Sequence, residues 1–178
     1  MPRLNAVRPE DAAGPTRAIF DGLQKKMGRV INAFRGMGNS PAALNAYLRM
    51  SEALGEGDLS VEDREAIYLA VSQRNGCDYC VAAHVAIAKR AGMAESEIDS
   101  IRALSPDDAK LHTLVYFVGR VMDTNGYVID EELDAVRAAG YTDGQIVEAL
   151  AYIGLATYSN LFNHVNDTAI DFPVPSAV

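Results

Sequence analysis

Apolar residues recur at helical spacing from Pro15 to about Phe162, in stripes opened by capping residues and closed by glycine or asparagine. Nowhere does a two-residue alternation persist over a strand's length, so an all-α fold is expected. Ile19, Leu23 and Met27 mark a first helix of about three turns behind Pro15. Gly36, Met37, Gly38 and Asn39 make residues 28–40 read as a loop anchored by Val30, Ile31 and Phe34. Ser40-Pro41 then opens a helix through Leu44, Tyr47, Leu48 and Leu54. Ser60 with Asp63 forms a capping-box-like start for a helix that stops at Asn75-Gly76. A second helix begins around Cys77 and runs to Ala91 ahead of Gly92, and so short a link makes the two an αα-hairpin. The remaining stripes are Glu95–Leu104, one capped by Ser105-Pro106 and Asp108 that ends at Asn125-Gly126, a short one capped by Asp130 that ends at Gly140, and a long one from the Thr142/Gln145 capping box to about Phe162. The total is about seven or eight helices.

A chain of 178 residues suits one domain with its own core, and 49% hydrophobic with 22% charged residues excludes a disordered acidic tail. Residues 1–58 read as an N-terminal helical arm, extended over its first 14 residues, and residues 59–178 as the core, the two forming one structural domain. A formal net charge of −8 without any Lys/Arg run argues against nucleic acid or an anionic membrane surface as partner. The N-terminus lacks the apolar run of a signal peptide, and no uncharged stretch approaches the ~18 residues of a spanning helix. A cytoplasmic protein with no membrane partner is expected.

Chemistry concentrates in Glu65 through His84. The two cysteines of the chain, Cys77 and Cys80, lie too close together to staple a long loop, and in a reducing compartment such a pair suggests redox chemistry or a metal. At ~100° per residue, Cys77, Cys80 and His84 share one helix face. Helix-start amides would favour a thiolate at Cys77, whereas His84, one turn on from Cys80, suits it to deprotonate Cys80. A carboxylate on the other ring nitrogen would fix the imidazole, and Glu65 in the preceding helix could fold back to supply it. Packing cysteines on an Ala-rich helix are one alternative. Structural zinc is another: C-x-x-C-x-x-x-H supplies three ligands, but there is no second C-x-x-C and only His112 and His164 elsewhere, so no metal and no cofactor are expected. His112 reads as a surface or core-edge residue. His164, within Asn163-His164-Val165-Asn166, closes a polar patch that could line a pocket or a subunit contact, and Tyr68, Tyr152 and Tyr158 read as core or interface.

Glu65, eleven residues, Cys77-Asp78-Tyr79-Cys80, three residues and His84 resemble the E-x11-C-x-x-C-x-x-x-H signature of the alkylhydroperoxidase D, or carboxymuconolactone decarboxylase-like, family. The resemblance is tightest over Ser60–Gly92, and Phe162–Asp167 with Asp171-Phe172-Pro173 looks like the ending of its longer peroxidase-related members. It implies an all-helical homotrimer or homohexamer and an antioxidant thiol peroxidase. Cys80 would then be the peroxidatic thiolate, Cys77 the proton donor and resolving thiol, and Glu65 with His84 the proton relay. Tyr79 stands where some members carry a histidine before the second cysteine, which makes it a secondary candidate as a weaker base. The partners implied are a hydroperoxide substrate and a dithiol electron-donor protein or small thiol. Two other functions compete: decarboxylation of a carboxylated lactone, which does not need two cysteines, and a non-catalytic redox-sensing helical assembly.

Overall fold

A stretch of helix with apolar side chains on every side has to be enclosed, and Ala66–Val71 in the middle of α4 (Val61–Asn75) is such a stretch. Ala66, Ile67, Leu69, Ala70 and Val71 are all fully buried. The computed structural model describes residues 2–178 and surrounds α4 with α5 (Asp78–Arg90), α6 (Glu95–Arg102), α7 (Ala109–Thr124) and α9 (Asp143–Asn166). The short α8 (Asp130–Ala138) packs on α7. Residues from these helices form one apolar core.

Before α4 come a 3₁₀ turn at Pro9–Asp11 and then α1 (Gly14–Met27), α2 (Asn32–Met37) and α3 (Pro41–Leu54). Phe20 and Leu23 of α1, Phe34 and Met37 of α2 and Leu44 of α3 build a second core. That core also contains Cys77, Tyr79 and Cys80, so the N-terminal helices roof the start of α5. Tyr47 packs against both cores.

The fold is all-α, with nine α-helices and no strand among the described residues. The additional helix is α2, within the stretch expected to be a loop. Its glycine serves packing: a Cβ on Gly36 would lie 2.8 Å from Phe162 Cζ and 3.1 Å from Asn166 Nδ2, so a larger residue would push α2 away from α9. The capping boxes form as read. Ser60 and Asp63 exchange side-chain bonds with each other's backbone N–H, as do Thr142 and Gln145. At α8 the cap moves one residue back, to Ile129, whose N–H donates to Glu132, and Asp130 is the first helical residue. No helix among the described residues is long and apolar enough to cross a membrane.

Candidate active site

The link between α4 and α5 determines where the thiols sit. Gly76 ends α4 at a left-handed φ of +65°, a conformation that favours glycine, and its N–H returns to the Gln73 and Ser72 carbonyls. Cys77 follows as the N-cap of α5, with Cys80 one turn inside. Cys77 is therefore off the end of the helix rather than on its face. The turn brings the sulfurs together as a Cys77–Cys80 disulfide with a Cα–Cα separation of 5.3 Å. The Cys80 backbone N–H donates to Cys77 Sγ at 3.4 Å, so a helix-start amide does reach the first sulfur.

The antiparallel hairpin folds Glu65 back onto His84, with Oε2 2.8 Å from Nδ1 and both side chains buried. A carboxylate can only accept, so Nδ1 carries the proton toward Glu65, which makes Nε2 the ring nitrogen that a neutral imidazole offers as a base. Tyr68 stacks on the imidazole with centroids 4.0 Å apart and planes 14° from parallel. Burial raises the Tyr68 pKa, keeping it a neutral phenol against the ring.

Cys80, His84, Glu65, Tyr68 and Asn163 line one cavity of about 1140 Å³ between the N-terminal helices and the α4–α5 hairpin. Cys77 is not among the lining residues. Most of the walls are apolar, with Ile19, Leu23 and Phe34 among them, which suits an organic molecule larger than a bare peroxide group.

The secondary candidates fall elsewhere. Tyr79 contributes to the cavity wall, but its hydroxyl points to the C-terminal tail, donating to Asp171 Oδ1 at 2.8 Å and accepting the Ala33 N–H at 3.2 Å. Asp171 also takes the Asn32 N–H, and Phe172 sets its ring edge-on to Tyr79 under the Arg29 guanidinium. Burial first, then the neighbouring Asp171 carboxylate, pushes the Tyr79 hydroxyl well above the usual phenol range, while the Ala33 N–H opposes the shift. It ties the tail down. His164 and His112 are exposed, and His164 is outside the cavity lining.

Of the polar C-terminal patch, the neighbour of His164 is the one that reaches the chemistry. Asn163 Nδ2 donates to Cys80 Sγ at 3.3 Å. A 3.6-residue period could have found it, since Asn160, Asn163 and Asn166 lie on the buried side of α9, whereas a search for titratable groups selects the histidine. Among the described residues no group of three or more His, Cys, Asp or Glu is placed to hold a metal ion.

Residues 41–110, from the start of α3 into the start of α7, match the carboxymuconolactone decarboxylase family model. That is the family the motif resembles. The carboxymuconolactone decarboxylase-like region therefore includes Glu65, both cysteines and His84, while Asn163 and the tail lie outside it. Among solved structures, a peroxidase-related protein from Ralstonia eutropha JMP134, described as an alkylhydroperoxidase AhpD core, superposes with a TM-score of 0.87 at 24% identity, over 96% of this chain and 92% of that one. A peroxidase-related protein from Silicibacter sp. TM1040 does so with a TM-score of 0.80 at 23% identity, over 95% and 94%. The debrominase Bmp8, solved with a cysteine replaced by alanine and with 2,3,4-tribromopyrrole bound, reaches 0.80 at 18% identity, over 95% and 91%. The fold is alkylhydroperoxidase D-like. A comparison with curated proteins finds no significant match.

Proposed function

We propose that this protein is a thiol oxidoreductase that reduces hydroperoxides through Cys80 and Cys77. The observation that carries the reading is that Cys80 lines the cavity beside the paired His84 and Glu65, while Cys77 sits behind it, already within bonding distance. His84, oriented by Glu65, removes the Cys80 proton as a general base, and Cys77 supplies the resolving thiol. The Cys80 thiolate attacks the terminal peroxide oxygen, the O–O bond breaks, and the alkoxide leaves as an alcohol after taking a proton. Cys80 is then a sulfenic acid. The Cys77 thiol displaces water from it to close the disulfide, and a dithiol electron-donor protein or small thiol returns two electrons and two protons.

The chemistry belongs in a reducing compartment such as the cytoplasm. A homotrimer or homohexamer goes with this reading, supported by an apolar stripe on α9. Val147, Leu150, Tyr158, Leu161 and Val165 are exposed and fall within ~80° of one another around the helix.

Lactone decarboxylation, the family's other named activity, has no role for a second cysteine. The debrominase of the same fold makes reductive attack on a halogenated ring the reading to test beside peroxide reduction, since the cavity has room for a ring. Consumption of cumene hydroperoxide with a dithiol reductant should be abolished by Cys80→Ser, and Cys77→Ser should consume a single equivalent when no reductant is added. Equal consumption by the parent and Cys80→Ser proteins would overturn the proposal.

A further inference from the structure

The cysteine that faces the cavity receives one side-chain hydrogen bond, from Asn163. The residue is 6% exposed, its Nδ2 lies 3.3 Å from Cys80 Sγ, and its Oδ1 is buried with no partner among the described residues. A buried amide that satisfies only its donor half is held for that donor, because the opposite orientation would set a carbonyl oxygen against the sulfur. α9 brings it there: Asn160, one turn earlier, accepts from Asn75 and donates to Ser72 on α4, and Asn166, one turn later, donates to Thr168. Asn160 and Asn166 brace the helix against α4 and the tail. Asn163 meets sulfur.

We infer that Asn163 is a further catalytic residue whose amide holds Cys80 as the thiolate and favours the reduced pair over the disulfide. An N–H donor binds an anionic sulfur more strongly than a disulfide or thiol sulfur, so the bond gains strength as Cys80 is reduced and deprotonated. By linkage, whatever lowers the thiolate's energy makes the disulfide a stronger oxidant. The inference rests on reading Cys80 as the reactive thiolate.

Other groups around Cys80 bear on its titration. On its own helix are His84 and Tyr79, and α4 contributes Glu65 and Tyr68. From α3 come Tyr47 and, at the rim, Arg49 and Glu52, with Glu56 just beyond. Lys26 of α1, Arg90 of α5 and Arg29, which is engaged with Asp171, complete the charged lining. The α9 lining residues, Ser159 and Asn163, carry no charge, so the amide is that helix's contribution.

In a Cys77→Ser background Cys80 is the sole thiol, and its alkylation rate by iodoacetamide against pH reports its titration. Asn163→Ala should move the midpoint up by about one pH unit, and the near-isosteric Asn163→Asp, which trades the donor for an anion, should move it further. In the two-cysteine protein, two glutathione molecules reduce the disulfide and leave as glutathione disulfide. At a pH well above the variant's raised midpoint, that equilibrium should shift ~tenfold toward the protein disulfide in Asn163→Ala. A residue that only packs would alter the melting temperature and leave both readouts in place. If Asn163→Ala fails to fold, the Asp variant carries the test. Folded variants with the parent midpoint and the parent glutathione equilibrium would overturn the inference. Neither readout involves peroxide, so an inactive peroxidase would leave it standing, and an unchanged midpoint in an active one would sink it alone.

Discussion

His84 and Glu65 are nineteen positions apart and 2.8 Å from each other, buried on facing helices. In the proposed function they share one task, so substitution of either should slow reaction with peroxide without unfolding the protein. His84→Gln should lose ~10²–10⁴ in rate, in the range for removal of a general base. Glu65→Gln should lose less, and little more once His84 is replaced, because residues acting as one relay are not additive. Stopped-flow oxidation of the two single variants and the double variant measures this, and additive losses would contradict a shared role. This contact was legible in the sequence as a possibility, from the hairpin and the motif spacing. Asn163 was not, because an amide carries no charge to attract notice, and its value depends on α9 passing beside Cys80. The Tyr79 hydroxyl was equally hidden, since its partners Ala33 and Asp171 lie 46 and 92 positions away.

Helix boundaries were the most legible part of the chain because caps are local chemistry. Ser60/Asp63, Asp108 and Thr142/Gln145 all form the side-chain bonds their spacing implies. Residues 28–40 were misread because Gly36 and Gly38 signal a turn locally, whereas in the fold Gly36 admits Phe162 and Asn166 against α2. Gly76 is the opposite case: nothing lies within 4 Å of where its Cβ would be, so its φ of +65° alone sets its importance. Gly76→Ala should cost about 1 kcal/mol through backbone strain, measured by denaturant unfolding. It should also slow disulfide closure, because Cys77 leaves α4 through that residue. An Ala variant as stable as the parent and closing as fast would show that the turn does not set the thiol geometry.

The molecule as a whole places two cores side by side, and the cysteine pair belongs to the one built by the N-terminal helices. Sequence periodicity could assign each helix an apolar face but not say which faces would meet, so the roof over Cys80 was not foreseeable. Burial raises the hydroxyl pKa of Tyr68, Tyr79 and Tyr141, and that of Tyr47 to about 12. Folded-state values above the unfolded 10.0 mean that the stability these neutral phenols provide is complete below about pH 10 and is lost as pH rises through the folded values. The melting temperature should hold to about pH 9 and fall steeply by about pH 11, and a flat profile would show that these phenols ionise freely in the fold. In the proposed function Cys80 reacts with a hydroperoxide and Cys77 resolves it. Thiol titration of the reduced, then denatured, protein before and after one equivalent of hydroperoxide tests it most directly. The expected result is a fall from two free thiols to none, with the single thiol of Cys80→Ser untouched. Two free thiols persisting in the parent after excess peroxide would contradict it.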